Sequence, residues 1–350
     1  MDVVLIPAYE PDAQLIPLVQ ELTDNGLSVL VVDDGSGADY KDIFATVAEQ
    51  ATVLTHPANR GKGAALKTGM QHIWDCMPEC DCFITCDADG QHSVADVLRV
   101  QQTLHDGNGF VLSIREPRKD IPLRSKVGNT LSRVVYALLT NRFLPDNQSG
   151  LRGFARSHIQ WMCCVDKDNY DYEMNVLYYA ARKGLHITTL PIETIYINDN
   201  AASHFNPIKD TLRIYRSLFY LARATFFALL ASEIAVIAVS FLPGSWGRDT
   251  IWLTLPLIGA GSLVVLTVYN QFVAFRGIWP QDHWTGVLYT VVHYIWYTLG
   301  CMLLQYGCLQ YLNWQIPLWL SFNIVLLLAL PVRYLFMKYQ YKLQSNRKLT

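Results

Sequence analysis

The sequence predicts an α/β domain with a mostly parallel β-sheet and helices on both faces, followed by an all-α transmembrane domain of four helices. Three observations support this prediction. Short apolar runs alternate with helical patterns in the N-terminal part, polar residues follow each apolar run, and the composition becomes strongly apolar after about residue 217. A chain of 350 residues also has the length expected of two ordinary domains.

The predicted sheet begins with Val3–Ile6, a continuous apolar run typical of a strand that is covered on both faces. Apolar residues at helical spacing predict a helix over residues 12–25, which ends at Gly26. The alternation continues with further strands and helices at Leu27–Val32, 39–50, Thr52–Leu54, 62–74 and Cys82–Cys86. Elements in this order predict a parallel sheet, in which ligands bind beyond the carboxyl ends of the strands.

Three features of the sequence bear on the partners of the protein and on its cellular compartment, namely the overall charge, the N-terminus and the cysteines. A formal net charge of −2 gives no reason to expect a nucleic acid partner. Residues 1–7 lack the basic segment and the length of a signal peptide, so we expect the α/β domain to stay in the cytosol. Cys76, Cys80, Cys82 and Cys86 match no usual zinc spacing, and we interpret them as buried, reduced thiols.

Polar motifs follow the predicted strands, and their chemistry suits nucleotide and metal binding. Asp87 and Asp89 flank a single residue, so both can reach one hard cation, and Gln91 can add a neutral oxygen. The Asp33–Ser36 segment offers carboxylates to a nucleobase or ribose, and Lys62 lies between two glycines where a helix starts, which suits phosphate. The aspartate motifs also have the composition of ordinary turns. The occurrence of all the motifs in this order favours function.

Four segments carry these motifs, namely Ile6–Glu10, Val31–Ser36, Asn59–Gly63 and Asp87–His92. Together they resemble family 2 glycosyltransferases with the GT-A fold, and within that family the subgroup of dolichyl-phosphate mannose synthases and bacterial polyprenyl-phosphate sugar synthases. The resemblance covers about residues 1–216. It implies inverting transfer of a single hexose from a nucleotide sugar, UDP-glucose or UDP-N-acetylglucosamine by family habit, to polyprenyl (undecaprenyl) phosphate. The product would serve cell-envelope glycosylation.

The resemblance also implies roles for individual residues. It places the nucleotide sugar on Pro7, Tyr9, Glu10, Asp33, Asp34, Lys62, Asp87 and Ala88. It places Mg²⁺ or Mn²⁺ on Asp87, Asp89 and Gln91. It assigns catalytic roles to Asp89, Arg115 and Arg124. It places the acceptor phosphate on Arg115, Arg124, Ser203 and His204, although His204 stands where the subgroup has a lysine or arginine. Asp146–Arg152 resembles a later motif whose polar turn closes the site.

The acceptor can be inferred from the groups that it would require. A sugar hydroxyl needs a base before it attacks, whereas a phosphate monoester, with a second pKa of about 6, does not. Gln148–Arg152 differs from the Q-x-x-R-W motif of processive synthases, and Tyr170–Met174 lacks their adjacent Glu-Asp pair. These differences favour a single transfer to a phosphate. A glycolipid synthase with a hydroxyl acceptor stays open, with Asp171 and Glu173 as candidate bases.

The C-terminal part predicts a membrane domain. Residues 121–142 and 207–220 each predict a basic amphipathic helix that lies among lipid headgroups or packs on the sheet as an ordinary helix. Four apolar spans are predicted at about 219–242, 251–273, 286–310 and 316–337. The distribution of lysine and arginine around these spans places both termini in the cytosol.

The predicted spans resemble the four-helix GtrA-like membrane family, through similar aromatic-basic endings at Tyr269–Arg276 and Pro331–Lys338. We therefore predict a cytosolic GT-A domain at 1–206, an interfacial helix at 207–220 and a GtrA-like domain at 221–350. Glu233 in the first span should face a partner or cavity. The expected location is the bacterial inner membrane, as a multi-pass protein whose partners are a UDP-sugar, polyprenyl phosphate and the membrane. A homo-oligomer and a flippase activity of the membrane domain stay open.

Overall fold

The structure is a computed structural model that describes residues 1–115, 123–140, 142–193, 209–221, 303–304 and 318–347. The chain divides into two compact units. The first comprises residues 1–133 and 144–218, and the second comprises residues 134–143 and the chain from residue 219 onward.

A seven-stranded sheet forms the centre of the first unit, with the strand order β3-β2-β1-β4-β6-β5-β7. Its strands are β1 (Asp2–Ala8), β2 (Ser28–Asp33), β3 (Thr52–Thr55), β4 (Cys82–Thr85), β5 (Phe110–Arg115), β6 (Arg152–Ala155) and β7 (Thr188–Ile192). Neighbouring strands are parallel except that β6 runs antiparallel to both β4 and β5. The predicted mostly parallel, GT-A-like sheet is therefore confirmed.

Helices cover both faces of this sheet. They are α1 (Leu15–Asp24), α2 (Lys41–Ala48), α3 (Lys62–Cys76), α4 (Val94–His105), α6 (Ile159–Cys163) and α7 (Asp171–Arg182). Helix α5 (Leu123–Thr140) follows β5, and its residues are divided between the two units. On one face, Val4 and Ile6 of β1 belong to a core cluster with residues of α1, α2 and α4. On the other face, Leu5 faces α3 so closely that a Cβ on Gly69 would lie 2.1 Å from its Cδ1. Side chains of β1 alternate between these layers, which explains its unbroken apolar sequence.

The four strands and three helices predicted before residue 87 are confirmed, with shifted ends. Helix α1 begins at Leu15 rather than at residue 12, and a short 3₁₀ turn at Ala38–Tyr40 precedes α2. The helix predicted over residues 121–142 is present as α5. The sequence analysis predicted no strand after Cys86, so it missed β5, β6 and β7 and with them the antiparallel position of β6.

Helix α8 (Lys209–Leu221) lies where the basic amphipathic helix was predicted. Its buried Ser217 hydroxyl pairs with the side-chain amide of Asn175 in α7, with an Nδ2–Oγ distance of 3.0 Å. Leu212, by contrast, is 68% exposed, and Phe219 and Tyr220 are exposed as well. Within the first unit, α8 thus contacts α7 through this polar pair and exposes the apolar side chain of Leu212.

The final helix of the second unit, α9 (Leu318–Arg347), covers the position of the fourth predicted span and contains Pro331. Met337 of α9 packs with Ala137 and Phe143, and the Phe143 ring meets the rings of Tyr334 and Tyr341 edge to face. Within the described residues no helix is both long and apolar enough to cross a bilayer. The other three predicted spans, with Glu233, lie almost entirely outside the described residues.

Arg156 secures the C-terminal end of α3 in the first unit. Its guanidinium donates hydrogen bonds to the carbonyl oxygens of Ile73, Trp74 and Met77 at 3.1, 2.7 and 2.5 Å. These carbonyls lie at the end of α3 and in the cap residue that follows it, where the backbone carbonyls have fewer intrahelical partners than in the middle of a helix. Because Arg156 follows β6, this contact connects the antiparallel strand β6 to α3, the helix that starts at Lys62.

We expect Arg156→Met to lower the free energy of unfolding by about 1–3 kcal/mol, because it removes charge-assisted hydrogen bonds from partly buried carbonyl groups. Urea unfolding followed by circular dichroism measures the change. Arg99→Met is the matched control, since half of the Arg99 side chain is exposed in an ion pair with Asp96, and it should change stability by less than about 0.5 kcal/mol. Equal effects of the two substitutions would contradict the assignment.

Candidate active site

A cavity of about 320 Å³ opens at the carboxyl ends of β1, β2 and β4. Eight of the predicted site residues line it, namely Pro7, Tyr9, Glu10, Asp34, Lys62, Asp87, Ala88 and Asp89. The structure therefore gathers the ends of three strands and the start of α3 around one space. This is the edge at which parallel α/β sheets bind ligands.

The Asp34 carboxylate holds the loop before α3 in place. Its Oδ1 accepts a hydrogen bond from the Arg60 amide at 3.0 Å, and its Oδ2 accepts one from the Gly61 amide at 2.7 Å. The buried His56 completes the arrangement, with Nδ1 2.7 Å from Asp34 Oδ1 and Nε2 2.9 Å from the Thr68 hydroxyl. Asp34 thus lines the cavity, but most of its hydrogen-bonding capacity serves to position the loop.

Asp33 and Glu10 shape the neighbouring turn. The Asp33 carboxylate accepts a hydrogen bond from the Ser36 amide at 2.9 Å, and it is not among the side chains that line the cavity. The Ser36 hydroxyl in turn accepts a hydrogen bond from the Glu10 amide at 2.8 Å. Glu10 has a φ of +46°, a left-handed conformation that costs energy in a residue with a side chain. The turn therefore holds Glu10 against the cavity in a strained conformation.

Lys62 lies between two carboxylates at the wall of the cavity. Its Nζ is 2.7 Å from Asp87 Oδ1 and 2.7 Å from Glu173 Oε2. Burial opposes the charge of the ammonium, but Asp87 and Glu173 outweigh it and raise the pKa of Lys62 above its ordinary value. Burial likewise opposes the charge of Asp87, and Lys62 and His92 outweigh it and lower the pKa of Asp87. Both partners of this pair are therefore charged at neutral pH.

Asp89 lies in a different electrostatic environment from Asp87. Burial and the nearby Asp87 carboxylate raise the pKa of Asp89, and a hydrogen bond from the Gln91 amide at 3.1 Å only partly offsets this. Two carboxylates that disfavour each other's charge in one cavity form a donor set suited to a hard divalent cation. Asp87 and Asp89 thus fit the Mg²⁺ or Mn²⁺ predicted there, whereas Gln91, the third predicted ligand, is not among the residues that line the cavity.

Gly150 brings the Asp146–Arg152 segment against the acidic residues. A Cβ at this position would lie 2.2 Å from Asp87 Oδ2, so no larger residue fits without a shift of the loop or of the carboxylate. At the other end of this segment, Asp146 accepts two hydrogen bonds from the Arg115 guanidinium, from Nε at 2.7 Å and from NH2 at 3.2 Å. Although burial opposes it, Arg115 lowers the pKa of Asp146. Arg115 is therefore held in an ion pair with Asp146 and is not among the residues that line the cavity.

Arg124, Ser203 and His204 are the remaining residues predicted to bind the acceptor phosphate. Arg124 belongs to the first turn of α5, and the description of that turn is confined to its backbone. Ser203 and His204 lie outside the described residues. Their roles stay predictions from the sequence.

The cavity is also lined by polar side chains to which the sequence analysis gave no role of their own, namely Asp12, Asn59, Asn169 and Tyr170. Asn169 and Tyr170 come from the loop before α7, far from the strand-end motifs in sequence. Gly61 carried an indirect signal, because it adopts a φ of +102° and a Cβ there would lie 2.3 Å from the Asp168 carbonyl oxygen. A glycine in a loop allows another backbone segment to pack directly against the loop. The glycine therefore indicates that such a segment is present, although it does not identify the segment.

A second cluster of potential ligands lies at the opposite edge of the sheet. Within the described part of the chain, Asp2, Cys82 and His105 form the one group of three such side chains whose ligand atoms all lie within 4.8 Å of one another. Burial and a hydrogen bond to Asp2 raise the pKa of Cys82 to about 12. All six described cysteines are free thiols, as predicted, but Cys76 is exposed rather than buried because it ends α3 at the surface.

Comparison with known proteins identifies the family of this chain. Residues 3–162 match the family described as glycosyl transferase family 2. An uncharacterized protein of Methanocaldococcus jannaschii is 31% identical over 200 residues, which are 55% of this chain and 81% of that protein. The chain belongs to glycosyltransferase family 2.

Two relatives have informative names. The UDP-N-acetylglucosamine–dolichyl-phosphate N-acetylglucosaminyltransferase of Methanococcus voltae is 28% identical over 236 residues, covering 61% of this chain and 93% of that protein. The undecaprenyl-phosphate 4-deoxy-4-formamido-L-arabinose transferase of an Enterobacter species is 26% identical over 180 residues, covering 48% of this chain and 53% of that protein. Both are named for sugar transfer to a polyprenyl-type phosphate.

We expect His56→Phe to destabilise the protein by about 1–3 kcal/mol, because the phenyl ring fills a similar volume but leaves the buried Asp34 carboxylate and the partly buried Thr68 hydroxyl with fewer partners. The loop at Asn59–Gly61 should also become more exposed to hydrogen exchange. Urea unfolding and hydrogen exchange of this loop measure the two effects. His72→Phe, at a half-buried position of α3, is the control, and a similar loss in both variants would contradict a positioning role for His56.

Proposed function

We propose that this protein transfers a single hexose, with inversion, from a UDP-sugar to polyprenyl phosphate at the cytosolic face of a bacterial inner membrane. The observation that carries the proposal is the charged edge of the cavity, where Lys62, Asp87 and Asp89 lie together beside the ends of β1 and β2. Membership of family 2 supports glycosyl transfer, and the names of the relatives support a polyprenyl phosphate acceptor.

The donor would occupy the cavity with its nucleoside toward Pro7, Tyr9, Glu10 and Asp34 and its diphosphate toward Lys62. Asp87, Asp89 and Gln91 would hold Mg²⁺ or Mn²⁺, which, when bound, would neutralise the diphosphate of the leaving group. Lys62 supplies a permanent positive charge at the same end of the cavity. UDP-N-acetylglucosamine is one expected donor, supported by the name of the Methanococcus relative, and UDP-glucose is the other.

The charge pairs of the site favour a phosphate acceptor over a hydroxyl. A hydroxyl acceptor would need a carboxylate base, and Glu173 is a poor candidate because its Oε2 is 2.7 Å from Lys62 Nζ and its Oε1 is 3.8 Å from Arg152 NH2. Asp171 is buried and is not among the side chains that line the cavity. A phosphate monoester needs cations rather than a base, and Arg115, at the end of β5, is the cation predicted for this role. To bind the phosphate, Arg115 would have to share its guanidinium with Asp146.

The membrane association belongs to the proposal as well. Exposed Leu212, Phe219 and Tyr220 of α8, together with the exposed Arg216, suit an interfacial helix with apolar side chains in lipid and basic ones at headgroups. The four-span, GtrA-like domain rests on the apolar runs of the sequence between residues 219 and 337. Such an anchor would keep the catalytic domain beside its lipid acceptor.

We expect Asp89→Asn to lower the transfer of labelled sugar to undecaprenyl phosphate at least about 100-fold, because it removes one anionic ligand of the cation that neutralises the leaving group. Scintillation counting of extracted lipid measures the transfer. Asp75→Asn, at an exposed position of α3, should keep full activity. Retention of more than about a tenth of the activity by Asp89→Asn would contradict the role of this carboxylate.

We expect Arg115→Met to raise the KM for undecaprenyl phosphate at least about tenfold while the KM for the UDP-sugar stays unchanged, because Arg115 would contact only the acceptor. Steady-state kinetics with each substrate varied in turn measures the two values. Arg99→Met again serves as the control. A rise in the donor KM alone would contradict the assignment, as would a product that resists mild acid, since a sugar–phosphate–lipid linkage is acid-labile.

A further inference from the structure

Three side chains of different chemistry meet at the amino-terminal edge of the sheet, opposite the candidate active site. Asp2 begins β1, Cys82 begins β4 as its direct partner in register, and His105 is the last residue of α4. The Cys82 thiol donates a hydrogen bond to Asp2 Oδ1 at 2.8 Å, and His105 Nε2 is 2.7 Å from Asp2 Oδ2. The Asp2 carboxylate thus lies between a thiol and an imidazole.

We propose that Asp2, Cys82 and His105 form a Zn²⁺ site. A thiolate, an imidazole nitrogen and a carboxylate oxygen are the three kinds of ligand that Zn²⁺ takes from proteins. A tetrahedral Zn²⁺ holds such ligand atoms roughly 3.3–3.6 Å apart. The ligand atoms here already lie within 4.8 Å of one another, so the ion needs only small side-chain movements to replace the proton shared by each hydrogen bond.

The surroundings of the cluster suit three protein ligands and one open position. Gln101 Nε2 donates a hydrogen bond to Asp2 Oδ2 at 2.6 Å and so orients the carboxylate, as outer-shell partners of metal ligands do. Half of the His105 side chain is exposed, which leaves room for an incoming ion and for water as the fourth ligand. The thiol of the nearby Cys80 is directed instead to the Cys82 carbonyl oxygen, at 3.2 Å.

This site differs in chemistry from the proposed active-site metal. Mg²⁺ and Mn²⁺ prefer oxygen ligands, whereas a thiolate and an imidazole select Zn²⁺ and related ions. The two sites also lie at opposite ends of β4, at Cys82 and beyond Thr85. Zn²⁺ here would connect β1, β4 and α4 and would stabilise the folded chain by an amount that grows with the logarithm of its concentration above the Kd. The inference therefore stands independently of the proposed function.

Titration of the full-length protein with Co²⁺, a spectroscopic substitute for Zn²⁺, tests the proposal. We expect one equivalent of Co²⁺ to produce visible ligand-field bands and a near-ultraviolet thiolate-to-cobalt band, and Zn²⁺ to abolish both. Cys82→Ser should lose the thiolate band, and His105→Ala, at an exposed position, should bind Zn²⁺ at least about tenfold more weakly. The same thiolate band should persist in Asp89→Asn, whose substitution lies at the other edge.

Three further variants separate the proposed ligands from other thiols and imidazoles. Cys76→Ser and His72→Ala remove a cysteine and a histidine of α3, and Cys80→Ser removes the thiol nearest in sequence. All three should retain the thiolate band and the affinity for Zn²⁺. Absence of the band in the wild-type protein would overturn the proposal, and so would its persistence in Cys82→Ser or an unchanged Zn²⁺ affinity in His105→Ala.

Discussion

The ion pair between Lys62 and Asp87 is the interaction on which the site depends. Both groups are largely withdrawn from solvent, and a charge so placed is tolerated only when a partner of opposite sign lies close to it. Lys62 Nζ and Asp87 Oδ1 lie 2.7 Å apart because three backbone segments meet there. Asp34 holds the glycine-rich loop before Lys62, and the chain leaves β4 at Asp87. Gly150, on the third segment, leaves space for the Asp87 carboxylate. The conformations of three loops are thereby coupled to one electrostatic contact.

The charges around this pair do not balance, and the imbalance explains why the site suits an additional cation. Asp87, Asp89 and Glu173 carry three carboxylates, whereas Lys62 and Arg152 carry two positive charges. Burial and Asp87 already disfavour the charge of Asp89. A nucleoside diphosphate would add further negative charge, so we expect a cation to enter with it. Family membership and site electrostatics thus support the same type of reaction.

The sequence predicted the strands and site residues that depend on local pattern. β1 to β4 could be predicted because each is an apolar run followed by polar residues. Asp34, Lys62 and Asp87 were identified in the segments that follow these strands. β6 was not predicted, because the Arg152–Ala155 segment contains a buried arginine and a glycine and has no strand pattern of its own. Two groups were missed because their contacts join residues that are far apart in sequence. Asn169 lies beside Gly61. In the other group, Asp2 contacts Cys82, 80 positions away, and His105, 103 positions away.

Calorimetric titration of UDP into the full-length protein, with Mn²⁺ and with a chelator in its place, tests the central claim most directly. If the acidic edge of the cavity binds the diphosphate through a divalent cation, Mn²⁺ should lower the Kd for UDP at least about tenfold, and UDP should tighten Mn²⁺ binding by the same factor. An equal Kd for UDP with Mn²⁺ and with chelator would contradict the account.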